Sequence, residues 1–149
     1  MKVYVSTVIE VPTEQVWAVL RDFNGHEEWH PAIASSAIER GLPSDAVGCT
    51  RRFRLTDGKE LSERLLTLSD LEMTLSYCLL DTPVPLFNYV AHVRVSPITD
   101  VDHAFCEWES RFDTRIGEEA AMRSLVTDDI YLAGFRAVRN RLLHEAPPS

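Results

Sequence analysis

The chain has 149 residues, of which 45% are apolar, and it carries a formal net charge of -8 at pH 7. This length and composition predict a single globular domain over residues 1–146 with a sizeable core, followed by a disordered tail at 147–149. The 13 arginines and two lysines are scattered among acidic residues without forming a basic stripe, which argues against nucleic acid as a partner.

From the sequence we expect neither a membrane span nor a secretion signal. No apolar run approaches the ~20 residues that a spanning helix needs, and an alternating strand pattern begins directly after Met1. We therefore expect a cytoplasmic protein. Cys49, Cys78 and Cys106 are an odd number of widely separated thiols without the spacing of a metal knuckle, so we expect three buried, free cysteines.

The first predicted elements are a strand and a short helix. Residues 2–11 alternate between apolar and polar side chains, which predicts a strand with one apolar face. Pro12 ends the strand and can open a helix, because its fixed φ suits the first helical turn. Apolar residues then follow at helical spacing as far as Phe23, and Asn24-Gly25 ends the run.

The segment His26-Glu27-Glu28-Trp29-His30 admits two interpretations. It fits His-Glu-x-x-His, in which two imidazoles one helical turn apart bind Zn²⁺ and the Glu acts as general base. However, Asn24-Gly25 precedes the segment, and Pro31 disfavours helical geometry at His30. No third ligand is evident. We therefore interpret Trp29-His30-Pro31 as a loop that enters the sheet, and we expect no metal.

After this loop the sequence consists of strand-like runs separated by turn residues. Asp57-Gly58 is a two-residue hairpin signal, and the other spacings also suit hairpins, which predicts an antiparallel meander. The predicted strands cover residues 32–40, 49–56, 59–68, 72–80, 87–96 and 103–113.

A long helix is predicted from Glu118 to about His144, where the apolar period becomes helical. One strand, a short helix, six strands and a long helix predict the α+β class, with the helix lying across a strongly curved sheet. The predicted apolar face of the helix consists of Ala121, Met122, Leu125, Val126, Ile130, Ala133, Ala137, Val138 and Leu142.

Two opposite charges fall on the predicted inner face of the sheet. Alternate residues of a strand point to the same face, a pattern that we call strand parity. By strand parity Arg51 lies on the same face as Phe53, and Glu63 on the same face as Leu65. An unpaired charge there would cost several kcal/mol, so the two charges are expected to pair or to face a wet cavity. A structural salt bridge and a polar anchor for a ligand are both open alternatives.

Aromatic and polar residues share the inner face of the later strands. Tyr77, Tyr89, Trp108 and Ser110 would add hydroxyls and an indole N–H to an apolar interior, as in small-molecule sites, although they could also simply fill the core. Gly134 in the last helix either permits close packing or leaves room over a cavity. His92 and His103 have the opposite parity and are expected to face solvent.

A series of short motifs occurs in a characteristic order along the chain. They are Val16-Trp17 through Asp22-Phe23, Trp29-x-Pro31, Val47-Gly48 with Arg51, Gly58 with Glu63-Arg64-Leu65, Tyr77, Tyr89, Trp108 with Phe112, and Tyr131-x-x-Gly134. In their order and spacing these motifs resemble the START-like (SRPBCC) superfamily, specifically its bacterial polyketide cyclase/dehydrase-like branch, which includes MxaD-like proteins. The resemblance extends from residue 2 to about residue 144.

The resemblance implies a helix-grip (START/Bet v 1-like) fold with a cavity for hydrophobic ligands between the sheet and the C-terminal helix. It does not by itself imply an activity. From parity and resemblance together we predict twelve ligand-binding residues. They are Trp29, Arg51, Phe53, Glu63, Leu65, Tyr77, Tyr89, Trp108, Ser110, Met122, Ile130 and Gly134.

The first functional hypothesis is non-catalytic binding of a small hydrophobic, lipid- or polyketide-like molecule, with Arg51 and Glu63 holding its polar end and no cofactor. The second is a polyketide cyclase or dehydratase with Glu63 as general base or acid, and with Arg51 and Tyr77 as enolate stabilisers. The third is a regulatory or interaction domain with a filled core. A homodimer is an open alternative for the assembly.

Overall fold

A computed structural model gives the structure of the chain, and residues 1–25 and 29–144 are described. Alternating side chains build seven strands within these ranges, all in one antiparallel sheet. The strands are β1 Lys2–Ile9, β2 Ile33–Ile38, β3 Thr50–Leu55, β4 Glu60–Ser69, β5 Thr74–Asp81, β6 Phe87–Ile98 and β7 Val101–Asp113. Their spatial order is β1-β7-β6-β5-β4-β3-β2, which confirms the predicted meander, with β1 added beside β7.

One face of the sheet forms the core, as strand parity predicts. The outer faces of β3 and β6 carry exposed Arg52, Arg54 and His92, while His103 on β7 is half-buried. The inner face includes Leu75, Tyr77, Tyr89, Ala91, Val93, Val95, Ala104, Cys106, Trp108, Ser110 and Phe112, all of them buried.

The β3–β4 hairpin turns at Asp57 and Gly58. Gly58 has a φ of 92°, in the left-handed region that glycine adopts without strain. The Asp57 carboxylate accepts a hydrogen bond from the Lys59 backbone N–H at 3.0 Å, which is the local bond expected of an Asx turn. The hairpin sets Arg51 directly opposite Glu63. Register shifts along β4 then bend the sheet.

Helix α1, Thr13–Leu20, begins after Pro12 and packs Val16, Trp17 and Leu20 into the core. It ends earlier than the sequence predicts. Phe23 lies in the turn that follows, where it is still fully buried. A short 3₁₀ turn at Glu39–Gly41 follows β2.

The C-terminal helix, α2, runs without interruption but changes geometry. It is α-helical over Glu119–Ser124, π-helical over Leu125–Leu132 and α-helical again over Ala133–His144. Because a π turn contains more residues than an α turn, the buried face shifts relative to a uniform 3.6-residue period. Ala121, predicted to face the core, is exposed, whereas Tyr131 and Phe135 are buried.

Some sequence predictions fall outside the described residues, namely His26, Glu27 and Glu28 of the zinc motif and the tail at 147–149. The cysteines are free, and Cys49 and Cys106 are buried as predicted. Cys78 is only half-buried, which corrects that part of the prediction. In the described part of the chain, no helix is long and apolar enough to cross a membrane.

Two neighbouring leucines of β4 test the assignment of the faces. Leu65 is fully buried, whereas Leu66 is 37% exposed on the other face. We expect Leu65→Ala to lower the free energy of unfolding by about 2–5 kcal/mol. We expect Leu66→Ala to change it by less than about 0.5 kcal/mol. Urea titrations of both variants measure the difference, and equal losses would contradict the assignment.

Candidate functional site

A cavity of about 290 Å³ lies between the inner face of the sheet and helix α2. Strands β3 to β7, the segment between β5 and β6, and the entry into β2 contribute to its walls. It is lined by His30, Ala32, Ile33, Arg51, Phe53, Leu55, Asp57, Lys59, Leu61, Glu63, Tyr77, Leu79, Pro83, Val84, Pro85, Leu86, Tyr89, Trp108, Met122, Leu125, Asp129 and Ile130.

The cavity has an exposed end and a buried end. Exposed Asp57, Lys59, Pro83 and Asp129 form what we call the mouth. At the other end, buried Arg51, Glu63 and Tyr77 carry polar groups, and we call these three residues the polar floor. Most of the remaining wall is aliphatic or aromatic.

Arg51 and Glu63 form a buried ion pair across β3 and β4, with Arg51 Nη2 donating to Glu63 Oε1. Arg51 Nη1 also donates to the Phe23 backbone carbonyl at 2.9 Å. The guanidinium carbon lies 4.6 Å from the ring centroids of both Phe23 and Phe53. Burial raises the pKa of Glu63, and the charge of Arg51 opposes that rise. The expected pairing is thus observed, and the pair also lines the cavity.

Tyr77 places a hydroxyl on the polar floor. Its oxygen accepts a hydrogen bond from Trp108 Nε1 at 3.0 Å. Burial raises the pKa of Tyr77 well above its ordinary value, so the hydroxyl keeps its proton. Since the oxygen is the acceptor for the indole, its own O–H can donate elsewhere. No residue in the described ranges accepts that bond.

Trp108 connects the floor to helix α2. Its ring stacks on Tyr131 with centroids 4.3 Å apart and an interplanar angle of 17°. The Tyr131 hydroxyl is hydrogen-bonded to the Tyr89 hydroxyl. Because Tyr89 lines the cavity from β6, these contacts join two strands and the helix behind one wall. The aromatic residues therefore build the wall of the cavity and do not fill it.

His30 joins the loop before β2 to helix α2. Its Nδ1 accepts a hydrogen bond from the Ala32 N–H at 3.1 Å, so Nε2 carries the proton and donates to the Ile130 carbonyl at 2.9 Å. Burial lowers the pKa of His30, and the charge of Arg51 lowers it further. Both ring nitrogens are engaged, so binding of zinc by His30 would require one of these bonds to break.

Gly134 allows α2 to approach Trp108 and His30 closely. A Cβ atom placed there would lie 3.1 Å from Trp108 Cζ3 and 3.2 Å from His30 Cδ2. The absence of a side chain therefore serves close packing, which decides between the two alternatives left open by the sequence.

The sequence model of the family described as polyketide cyclase / dehydrase and lipid transport matches residues 1–142. The chain belongs to this family. The resemblance to START-like proteins and the helix-grip fold are thereby confirmed. Comparison with curated proteins gives no significant match.

Several solved structures have the same fold as this chain, and some of them also have related sequences. An uncharacterized protein of Bacillus thuringiensis is 29% identical with a TM-score of 0.84, over 96% of this chain and 99% of that one. XoxI of Bacillus cereus is 27% identical with a TM-score of 0.82, over 98% and 99%. Norcoclaurine synthase of Thalictrum flavum, in complex with dopamine and hydroxybenzaldehyde, is 11% identical with a TM-score of 0.76, over 99% and 89%. At that identity the last likeness concerns the fold alone.

In this family member, eight of the twelve predicted ligand-binding residues line the cavity, and their binding role is still a prediction. The eight are Arg51, Phe53, Glu63, Tyr77, Tyr89, Trp108, Met122 and Ile130.

Trp29, Leu65, Ser110 and Gly134 are buried but do not line the cavity. Leu65 packs in the core opposite Tyr77. Ser110 lies on β7, between β1 and β6, and is buried there. The Trp29 ring packs in the core beside His30, and the His30 ring faces the cavity in its place.

The residues that we did not predict fall into two groups. Leu55, Leu61 and Leu79 share strand parity with Phe53, Glu63 and Tyr77, so the same pattern could have identified them. The other group lies in loops, at the start of β2 and on α2, where tertiary packing brings the side chains to the cavity. It comprises His30, Ala32, Ile33, Asp57, Lys59, Pro83, Val84, Pro85, Leu86, Leu125 and Asp129.

The buried neutral His30 predicts an acid-sensitive component of stability. Its pKa in the native state is lower than the ordinary 6.5, so below about pH 6.5 the unfolded chain binds a proton that the native state does not. We therefore expect wild-type stability to fall, relative to His30→Gln, as the pH decreases from about 7 to about 5, by at most about 1.4 kcal/mol per pH unit. Urea titrations across this range measure the change.

His92→Gln is the matched control, because His92 is exposed on the outer face of β6. The free energy of unfolding of His92→Gln should change with pH in the same way as that of wild type. Parallel curves for wild type and His30→Gln would contradict the assignment of His30 as a buried neutral group.

Proposed function

We propose that the protein binds a small, mostly apolar molecule in the cavity between the sheet and α2. The observation that carries the proposal is a cavity with apolar walls that is closed at one end by a few convergent polar groups, which is the usual form of a small-molecule site. The family description, which includes lipid transport, supports ligand binding in general.

The apolar body of the ligand would lie against Phe53, Leu61, Met122 and Ile130, which line the cavity from strands β3 and β4 and from α2. Its polar end would face the polar floor. This orientation buries apolar surface against the walls, and it leaves the charged residues of the mouth in water.

The volume of the cavity limits the size of the ligand. About 290 Å³ is just below the range of ~300–1,000 Å³ that is typical of small-molecule pockets. A compact bicyclic or tricyclic molecule therefore suits it better than a long acyl chain. The same volume argues against the alternative of a regulatory domain with a filled core, for which no such cavity is expected.

A variant that fills the cavity tests the proposal. Leu61→Trp should place an indole in the space between the walls, so we expect loss of binding of the neutral fluorescent probe N-phenyl-1-naphthylamine with the fold retained. Leu66→Trp introduces the same side chain on the outer face of the same strand and should bind the probe like wild type. Fluorescence titration measures binding, and circular dichroism reports the fold.

Native mass spectrometry of the freshly purified protein adds an independent measurement, because a co-purified molecule should be present in wild type and absent in Leu61→Trp. A wild-type protein that holds no molecule and binds no probe would contradict the proposal. Equal probe binding by Leu61→Trp and Leu66→Trp would place the binding elsewhere.

A second candidate is a cyclase or dehydratase of the kind named in the family description. The observation that favours it is that Glu63, with its raised pKa, and the protonated Tyr77 hydroxyl line one cavity. A carboxyl group tuned in this way can exchange protons with a bound substrate, and a phenol can stabilise an enolate by hydrogen bonding.

If this candidate is correct, Glu63→Gln should reduce turnover of a reactive poly-β-ketone substrate by at least ~100-fold, the usual contribution of a general acid or base. Binding of the neutral probe should persist, because the amide has the same shape as the carboxyl group. Product analysis by liquid chromatography measures turnover, and Glu60→Gln on the outer face is the control. Unchanged turnover in Glu63→Gln would remove Glu63 from the mechanism.

A further inference from the structure

The positive charge on the polar floor is already engaged within the protein through both terminal nitrogens of Arg51. Arg51 pairs with Glu63, donates to the Phe23 carbonyl at 2.9 Å, and lies between two phenyl rings. The side chains of Arg51 and Glu63 are 4% and 8% exposed, so water does little to weaken their attraction. A ligand carboxylate would therefore have to compete with Glu63 for Arg51.

The positive charge at the mouth is paired as well. Lys59 Nζ lies 3.6 Å from Asp57 Oδ2, and Asp129 adds a further carboxylate. Among the described residues that line the cavity, two cationic side chains, Arg51 and Lys59, thus accompany three carboxylates. An anionic ligand would therefore meet no excess of positive charge at either end of the cavity.

The polar floor does offer an uncharged hydrogen-bond donor. The Tyr77 oxygen already accepts the indole N–H of Trp108, so its own O–H can donate to the acceptor of a ligand. A ketone, ester or amide carbonyl is an acceptor that carries no charge into the cavity. Burying a carboxylate without a counterion would cost several kcal/mol, whereas burying a hydrogen-bonded carbonyl costs little.

We infer that the cavity selects uncharged ligands that carry a carbonyl group at the buried end, and that it discriminates against carboxylates of the same size. Arg51 in this assignment is the partner of Glu63, not a receptor for ligand anions. The inference rests on the proposed function, since it specifies the chemistry of the molecule bound at that same site.

Three competitors with one bicyclic skeleton test the inference, namely 2-acetylnaphthalene, 2-ethylnaphthalene and 2-naphthoate. Each competitor is titrated against the complex of the protein with N-phenyl-1-naphthylamine. The titrations are done at about pH 8, where the carboxyl group of 2-naphthoate is ionised. We expect the ketone to bind at least ~10-fold more tightly than the carboxylate, which corresponds to one poorly paired charge. We expect a ~5-fold preference for the ketone over the ethyl compound, from one hydrogen bond.

Variants assign the discrimination to particular residues. In Tyr77→Phe the ketone should lose its ~5-fold advantage over the ethyl compound. In Glu63→Gln the guanidinium of Arg51 loses its counterion, so the affinity for 2-naphthoate should rise by at least ~10-fold. Glu60→Gln is the matched control, since it breaks the exposed Arg54–Glu60 pair between the same two strands and should leave the ranking unchanged.

The outcomes separate this inference from the proposed function. If wild type binds 2-naphthoate as tightly as 2-acetylnaphthalene, or more tightly, the inference is wrong. The proposal that the cavity is a binding site would still stand. If Glu63→Gln folds but its affinity for 2-naphthoate does not rise, Glu63 is not the group that neutralises Arg51. If Glu63→Gln does not fold, the inference is tested by the order of the three affinities in wild type and by the loss of the ketone's advantage in Tyr77→Phe. A wild-type protein that binds no probe and holds no co-purified molecule would overturn the proposed function itself.

Discussion

The buried pair of Arg51 and Glu63 is the interaction on which the candidate site depends. The β3–β4 hairpin places the two residues directly opposite each other on the inner face of the sheet. Removal of one partner from such a pair commonly costs about 3–5 kcal/mol, because the remaining charge stays buried. The pair therefore keeps polar groups in an apolar interior, and it also decides which charges a ligand meets at the polar floor.

Helix α2 closes the side of the cavity that lies opposite the sheet. Its position depends on contacts at Ile130 and Gly134, one helical turn apart. Gly134 lets the helix approach Trp108 and His30, while His30 donates to the Ile130 carbonyl within the π-helical segment. Segments of π geometry frequently occur at functional sites, where an extra residue in the turn redirects side chains. Here the segment contributes Leu125, Asp129 and Ile130 to the cavity wall.

Strand parity explains why much of the site could be predicted. A side-chain period of two is a local property of the chain, and it correctly assigns Arg51, Phe53, Glu63 and Tyr77 to the inner face, where all four line the cavity. The period of the helix is less informative, because its π segment changes the number of residues per turn. The helical face predicted from the sequence includes Ala121, which is exposed, and omits Tyr131, which is buried behind the wall.

The sequence alone determined the α+β class, the meander, the inner face of each strand and the pairing of opposite charges, because these follow from local periodicity and from the high cost of an isolated buried charge. Tertiary structure decided which inward residues reach the cavity and which, like Leu65 and Ser110, are covered by the core. It also decided the role of His30, whose partner Ile130 is 100 residues away in the chain. Contacts over such distances depend on how the helix packs on the sheet, which no local pattern encodes.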